Sequence, residues 1–128
     1  MSGMAILAVL FAFQVKHFLA DFCWQSAWMI AGKRDYGRGG GIAHAGLHAV
    51  LSVPILLVAG SGAALALLLA ACEAIVHFHI DWLKAGATAR RHLTPKDRAY
   101  WCLSGLDQLA HQCTYLAMIA VLLDRMAS

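Results

Sequence analysis

Charge is scarce in this sequence. Asp, Glu, Lys and Arg make up 13% of its 128 residues, roughly half the share of an ordinary soluble domain. Acidic residues are the scarcer sign, seven against ten basic. Proline occurs only at Pro54 and Pro95, so few positions forbid a continuous helix. The four cysteines (Cys23, Cys72, Cys102 and Cys113) include no C-x-x-C spacing, and all fall in apolar segments. That excludes a disulfide framework and leaves free thiols as the expectation. The start, Met1-Ser2-Gly3-Met4, has no basic n-region, so no cleavable signal peptide is expected. No serine or cysteine sits in a G-x-S-x-G setting, which removes the common nucleophile elbow.

Apolar residues fill the space, at 61% of the chain. The length suits one domain. The expected fold class is all-α: a four-helix transmembrane bundle forming a single integral membrane domain over residues 1–128, with helices at about 4–28, 42–59, 63–83 and 95–123. Such spans match a hydrocarbon core of about 30 Å. Glycine content marks Gly32–Gly41 as a loop, and Gly60-Ser61-Gly62 reads as a tight turn. Pro54 is expected to kink the second helix. Ala85–Leu93 reads as a basic connector. Thr94 can cap the last helix, with Pro95 in its first turn and Asp97 at the positive end of its dipole.

The basic residues cluster. Lys33, Arg34, Arg38, Lys84, Arg90, Arg91, Lys96 and Arg98 lie in two polar stretches, while Lys16 and Arg125 lie elsewhere. Trp24, Trp28, Trp82 and Trp101 flank the same two stretches, as an aromatic belt would. This pattern suits the positive-inside rule rather than a nucleic-acid surface. It predicts four crossings, cytoplasmic basic loops and both termini on the non-cytoplasmic side. Membrane lipid is the expected partner, with a homo-oligomer or a larger membrane complex as a further possibility and no nucleic acid.

Against this apolar background the polar residues within the spans need a cause. Glu73, His77 and Asp81 are spaced by four, and so share one helix face. His79 is turned away from His77 by roughly 200°. The same spacing recurs in His17/Asp21 (continued by Gln25), His44/His48 and Asp107/His111. A bundle that turns these stripes inward gathers eight candidate metal ligands: His17, Asp21, His44, His48, His77, Asp81, Asp107 and His111. One mid-membrane Asp costs about 2.5 to 3.5 kcal/mol, so four buried carboxylates cost on the order of 10 kcal/mol. A structural-grade divalent metal offers about 10 to 16 kcal/mol, whereas internal hydrogen bonds in membranes average under about 1 to 2 kcal/mol each. A divalent metal is therefore expected, and mixed His and carboxylate ligands suit Zn, Mn or Fe. Glu73, Asp21 and Asp107 are the candidate general bases or supporting groups. Lys84, seven residues after His77, is the candidate for substrate binding, drawing an anionic headgroup towards the site. Lys16 either snorkels or pairs with an internal carboxylate. His79 reads as packing and His92 as solvated.

The run His17-Phe-Leu-Ala-Asp21-Phe, the pair His44 and His48, His77-Phe-His-Ile-Asp81 with Lys84, and Asp107-Gln108-Leu-Ala-His111 together resemble a domain-of-unknown-function family of small bacterial and phage membrane proteins. More loosely they resemble the membrane-bound predicted metal-dependent hydrolases of the LexA-regulated type. The resemblance implies a multi-pass protein of the bacterial inner (cytoplasmic) membrane, with metal-dependent hydrolysis as the activity. On the residues alone, two other classes stay open: an accessory subunit of a larger membrane or phage assembly with a structural metal, and an ion or proton transport protein.

Overall fold

A computed structural model describes residues 1–127. It has five α-helices: α1 Gly3–Phe18, α2 Ala27–Gly32, α3 Gly39–Val58, α4 Ala63–Arg90 and α5 Arg98–Ala127. One turn of π-helix, Leu19–Cys23, continues α1. Four segments are long and apolar enough to cross a membrane: Gly3–Cys23, α3, α4 and α5. The protein is an all-α, multi-pass bundle. At about 1.5 Å per residue, the 28 residues of α4 and the 30 of α5 outrun a hydrocarbon core of about 30 Å. Both are thus longer than an upright crossing needs.

The buried residues run as one stripe along each long helix: Val9, Phe13, Lys16 and His17 on α1; His44, His48, Ser52 and Leu56 on α3; Leu69, Glu73, His77 and Asp81 on α4; Asp107, His111, Tyr115 and Leu122 on α5. The steps, nearly all of three, four or seven, are those of a single helix face. Each stripe is polar towards the basic loops and apolar at the other end. Val9, Phe13, Leu56, Leu69, Met118, Ile119 and Leu122 pack into one cluster there. The opposite faces carry exposed Phe11, Val50, Val58, Leu67, Leu106 and Leu116, a surface suited to lipid and costly in water.

The local structure departs from the periodicity in four places. The first helix does not run on to Trp28. It ends in the π turn, where Trp24 N–H donates to Leu19 O at 2.9 Å, and Ser26 then caps α2. The Gly32–Gly41 stretch is only partly a loop. A Cβ at Gly40 would collide with the carbonyl oxygen of Trp28, and one at Gly32 would lie 2.6 Å from Gly41 N. These glycines let α2 lie backbone to backbone on the start of α3. Residues 85–90 of the basic connector are helical, so α4 runs on to Arg90. It ends on a Schellman turn, with Leu93 N–H on Thr88 O at 3.0 Å and His92 N–H on Ala89 O at 3.2 Å. His92 takes the left-handed position (φ 51°) that Gly60 (φ 95°) fills after α3. Finally, regular α5 starts at Arg98 rather than at Pro95. Asp97 Oδ2 accepts from Thr94 N–H at 2.7 Å and from its hydroxyl at 2.9 Å. These two bonds hold the Asp97 carboxyl below its usual range. Helix α3 continues through Pro54 to Val58.

Candidate metal centre

The π turn sets the geometry of the first ligand. It carries Asp21, and the Gln25 side chain donates back to the Asp21 carbonyl at 2.7 Å. Such single π turns occur often at functional sites. Asp21 Oδ1 lies 2.9 Å from His44 Nε2 and 3.1 Å from His48 Nε2, and Oδ2 lies 3.1 Å from His17 Nε2. From α4, Asp81 Oδ2 lies 3.3 Å from His77 Nε2 and 3.4 Å from His44 Nε2. The imidazoles crowd one volume, with ring centroids 3.8 Å apart for His48 and His77 and 4.2 Å for His77 and His111.

Six of the eight sequence candidates fall into two ligand groups: Asp21, His44, His48 and His77, and His77, Asp81 and His111. Within each group the donor atoms lie within 4.8 Å of one another, every residue is buried, and His77 belongs to both. Donors around a tetrahedral ion at about 2.1 Å are roughly 3.4 Å apart, so several of the separations above already have the required value. His44 Nδ1, His48 Nδ1, His77 Nδ1 and His111 Nε2 have no hydrogen-bond partner among the described residues, while His44 Nε2 and His77 Nε2 face only carboxylate oxygens. His111 Nδ1 donates to Asp107 O at 2.8 Å, which leaves its Nε2 lone pair for a ligand, as metal-binding histidines are commonly oriented. Buried imidazole nitrogens without partners are rare in a merely hydrogen-bonded bundle. The donor set fits a divalent ion.

The other candidates lie around this cluster. His17 is in neither group, and both its nitrogens are engaged: Nδ1 with Tyr115 OH at 2.9 Å, and Nε2 with Gln108 Oε1 at 3.1 Å as well as with Asp21. Asp107 is also outside the groups. Its Oδ2 accepts from Gln108 Nε2 at 3.2 Å, and its Oδ1 has no hydrogen-bond partner among the described residues and lies 4.0 Å from His111 Nδ1. Glu73 Oε1 is paired with Lys16. The Lys16 ammonium also donates to Ser52 Oγ at 3.0 Å and His48 O at 3.3 Å, and lies 4.7 Å from the Tyr115 ring centroid. Of the two options for Lys16, the internal ion pair is the one adopted. His79 stands apart, bonded to Tyr36 OH at 3.2 Å and Ile75 O at 2.6 Å.

An open cavity of about 700 Å³ adjoins the centre on the basic side. Asp21, Asp81 and Asp107 line it together with Lys33, Arg34, Lys84 and Tyr100. Lys33 Nζ lies 3.0 Å from Asp81 Oδ2. Four contributors were not singled out as site residues from sequence: Lys33, Ser52, Gln108 and Tyr115. Two had a visible signal, because Ser52 extends the His44/His48 stripe and Tyr115 extends Asp107/His111, each by four residues.

Fold and site together define a multi-pass helical membrane protein with a buried His/Asp centre able to hold a metal ion. Residues 9–128 match a family described as a protein of unknown function, DUF3307, and the chain belongs to that family. No curated protein and no solved structure matches it.

Proposed function

We propose that this protein is an intramembrane metal hydrolase of the bacterial inner membrane, acting from the cytoplasmic side on a membrane-accessible substrate. The observation that carries the reading is the buried cluster of imidazole and carboxylate donors within 4.8 Å of one another, in which His44 Nδ1, His48 Nδ1, His77 Nδ1 and His111 Nε2 have no hydrogen-bond partner among the described residues. His44, His48, His77, His111, Asp21 and Asp81 would hold the ion, with Zn, Mn or Fe as the fitting metals. A bound ion of this kind supplies a water whose pKa is lowered to about 7.

The remaining groups have separable tasks. Asp107 lines the cavity with one carboxylate oxygen that accepts no hydrogen bond from the described residues, so it is the best placed general base. Glu73 is tied to Lys16, and Asp21 Oδ1 faces two imidazoles. His17 orients Asp21 from the hydrogen bonds of Tyr115 and Gln108. Charge neutralisation alone does not require the metal, since Glu73 has Lys16 and Asp81 has Lys33. The argument rests on the imidazoles. A transport path is disfavoured by the apolar cluster of Phe13, Leu56, Leu69, Met118 and Leu122, which fills the bundle beyond the site.

Elemental analysis of detergent-purified protein after extensive dialysis should find about one divalent ion or more per chain. Asp107→Asn should retain it while abolishing chelator-sensitive ester hydrolysis. Folded protein that stays metal-free in the presence of Zn or Mn would remove this reading. Metal retained without turnover of any ester would favour the accessory-subunit alternative, in which the ion is structural.

A further inference from the structure

The cavity wall carries cations in addition to Lys33, whose ammonium is paired with Asp81. Lys33 and Arg34, just after α2, and Lys84, on α4, line it together with Asp21, Asp81 and Asp107. Three cations and three carboxylates thus share the lining. A divalent ion on the carboxylate side would leave the cavity with an excess of about two positive charges. A phosphomonoester carries about −1.5 to −2 charge near neutral pH and offers three strong acceptor oxygens. The Lys33 side chain is only 14% exposed and is held against Asp81 at 3.0 Å, so one cation sits at the boundary between wall and centre. The part-buried Lys84 is four residues before Thr88, which also lines the cavity.

We propose that Lys33, Arg34 and Lys84 form a binding site for a phosphomonoester group, and that the substrate of the centre carries one. The inference rests on the metal reading for its excess charge, and it goes beyond that reading by naming the substrate's head. The cavity lies at the end of the bundle that carries the basic connections. It is reachable both by a lipid whose headgroup is a phosphomonoester and by a water-soluble phosphate ester. Lys33 is the hinge of the arrangement, since an arriving anion competes with Asp81 for its ammonium.

Calorimetric titration of metal-loaded protein in neutral detergent tests this, with inorganic phosphate in one arm and a short-chain phosphatidate in mixed micelles in the other. Binding is expected in the phosphate arm. Much tighter binding in the phosphatidate arm assigns the site to a lipid headgroup, and equal binding assigns it to a soluble ester. Lys84→Ala and Arg34→Ala should each weaken phosphate binding by about tenfold at unchanged metal content, and Lys84→Arg should restore most of it. Wild-type protein that binds neither probe, or alanine variants that bind as wild type does, would overturn the proposal. Metal content is read separately on the same samples. If the chain holds no metal, the hydrolase reading falls, while the response of phosphate binding to Lys84→Ala still decides whether the basic wall is an anion site.

Discussion

His77 and His79 lie two residues apart in the same apolar context, yet helix geometry separates them by roughly 200°. His77 is buried, belongs to both ligand groups, faces Asp81 with its Nε2 at 3.3 Å and has no hydrogen-bond partner for its Nδ1 among the described residues. His79 instead bonds Tyr36 and the backbone of its own helix. His77→Ala should therefore lose the metal and leave Asp81 and its neighbours poorly compensated, at a cost of about 3 kcal/mol or more. His79→Ala should keep the metal and cost about 1 kcal/mol or less, the scale of one hydrogen bond in a membrane. Metal content and thermal unfolding of the two variants, measured side by side, check this, and the reverse pattern would mean that the functional face of α4 is turned the other way. At this scale the sequence is easy to read, because spacing by four is a direct consequence of 3.6 residues per turn. Which carboxylate meets which cation is not readable. The pairing of Lys16 with Glu73 joins residues 57 positions apart and depends on how the bundle sets α1 and α4 across its core.

At the scale of elements, the long helices followed from apolar runs, and their ends did not. A membrane boundary is not a helix boundary. α4 continues through Ala85-Gly-Ala-Thr-Ala-Arg90 because alanine and arginine favour helix in water as well. The π turn at Leu19–Cys23 has no composition signal, since its five residues would suit an α-helix equally well. Most instructive are the glycines of residues 32–41. Their number suggests a flexible loop, but Gly32, Gly40 and Gly41 are in helices and provide the space for α2 to dock on α3. That docking brings Lys33, the residue after Gly32, within 3.0 Å of Asp81. Gly40→Ala should force α2 off α3 and destabilise the protein by about 1 to 3 kcal/mol, the usual cost of overpacking. Gly46 is on the same helix with nothing within 4 Å of an added Cβ. Gly46→Ala should be neutral or stabilise by up to about 1 kcal/mol, from helix propensity alone. Thermal unfolding in one detergent compares the two, and equal effects would show that the glycines are not there for close packing.

The whole molecule is divided along its length. One end holds the histidines, the carboxylates, the cavity and the basic residues of the α2–α3 and α4–α5 connections. The other holds the apolar cluster that closes the bundle. Eight of the ten Lys and Arg residues lie in or beside those two connections. Lys16 does not count towards orientation, because it is buried against Glu73, and Arg125 lies at the opposite end, in the last turn of α5. Four crossings put both termini on the side away from the basic connections. In the orientation proposed from the positive-inside rule the cavity would face the cytoplasm, where soluble phosphate esters and inner-leaflet headgroups would both be within reach. Gly37 is the better place for an inserted reporter than Gly39. Gly37 has nothing within 4 Å of an added Cβ, whereas Gly39 starts α3 and would press on the Trp28 ring at 3.3 Å. A reporter at Gly37 should be active in the cytoplasm, and one fused after Ser128 should report the opposite compartment. Replacing Arg34, Arg38, Arg90 and Arg91 with Gln should weaken this preference and populate the inverted orientation, because the bias is carried by these side chains and not by the fold. If the Ser128 fusion reports the cytoplasm in the unmodified chain, the cavity opens on the other side and its substrate must be sought there.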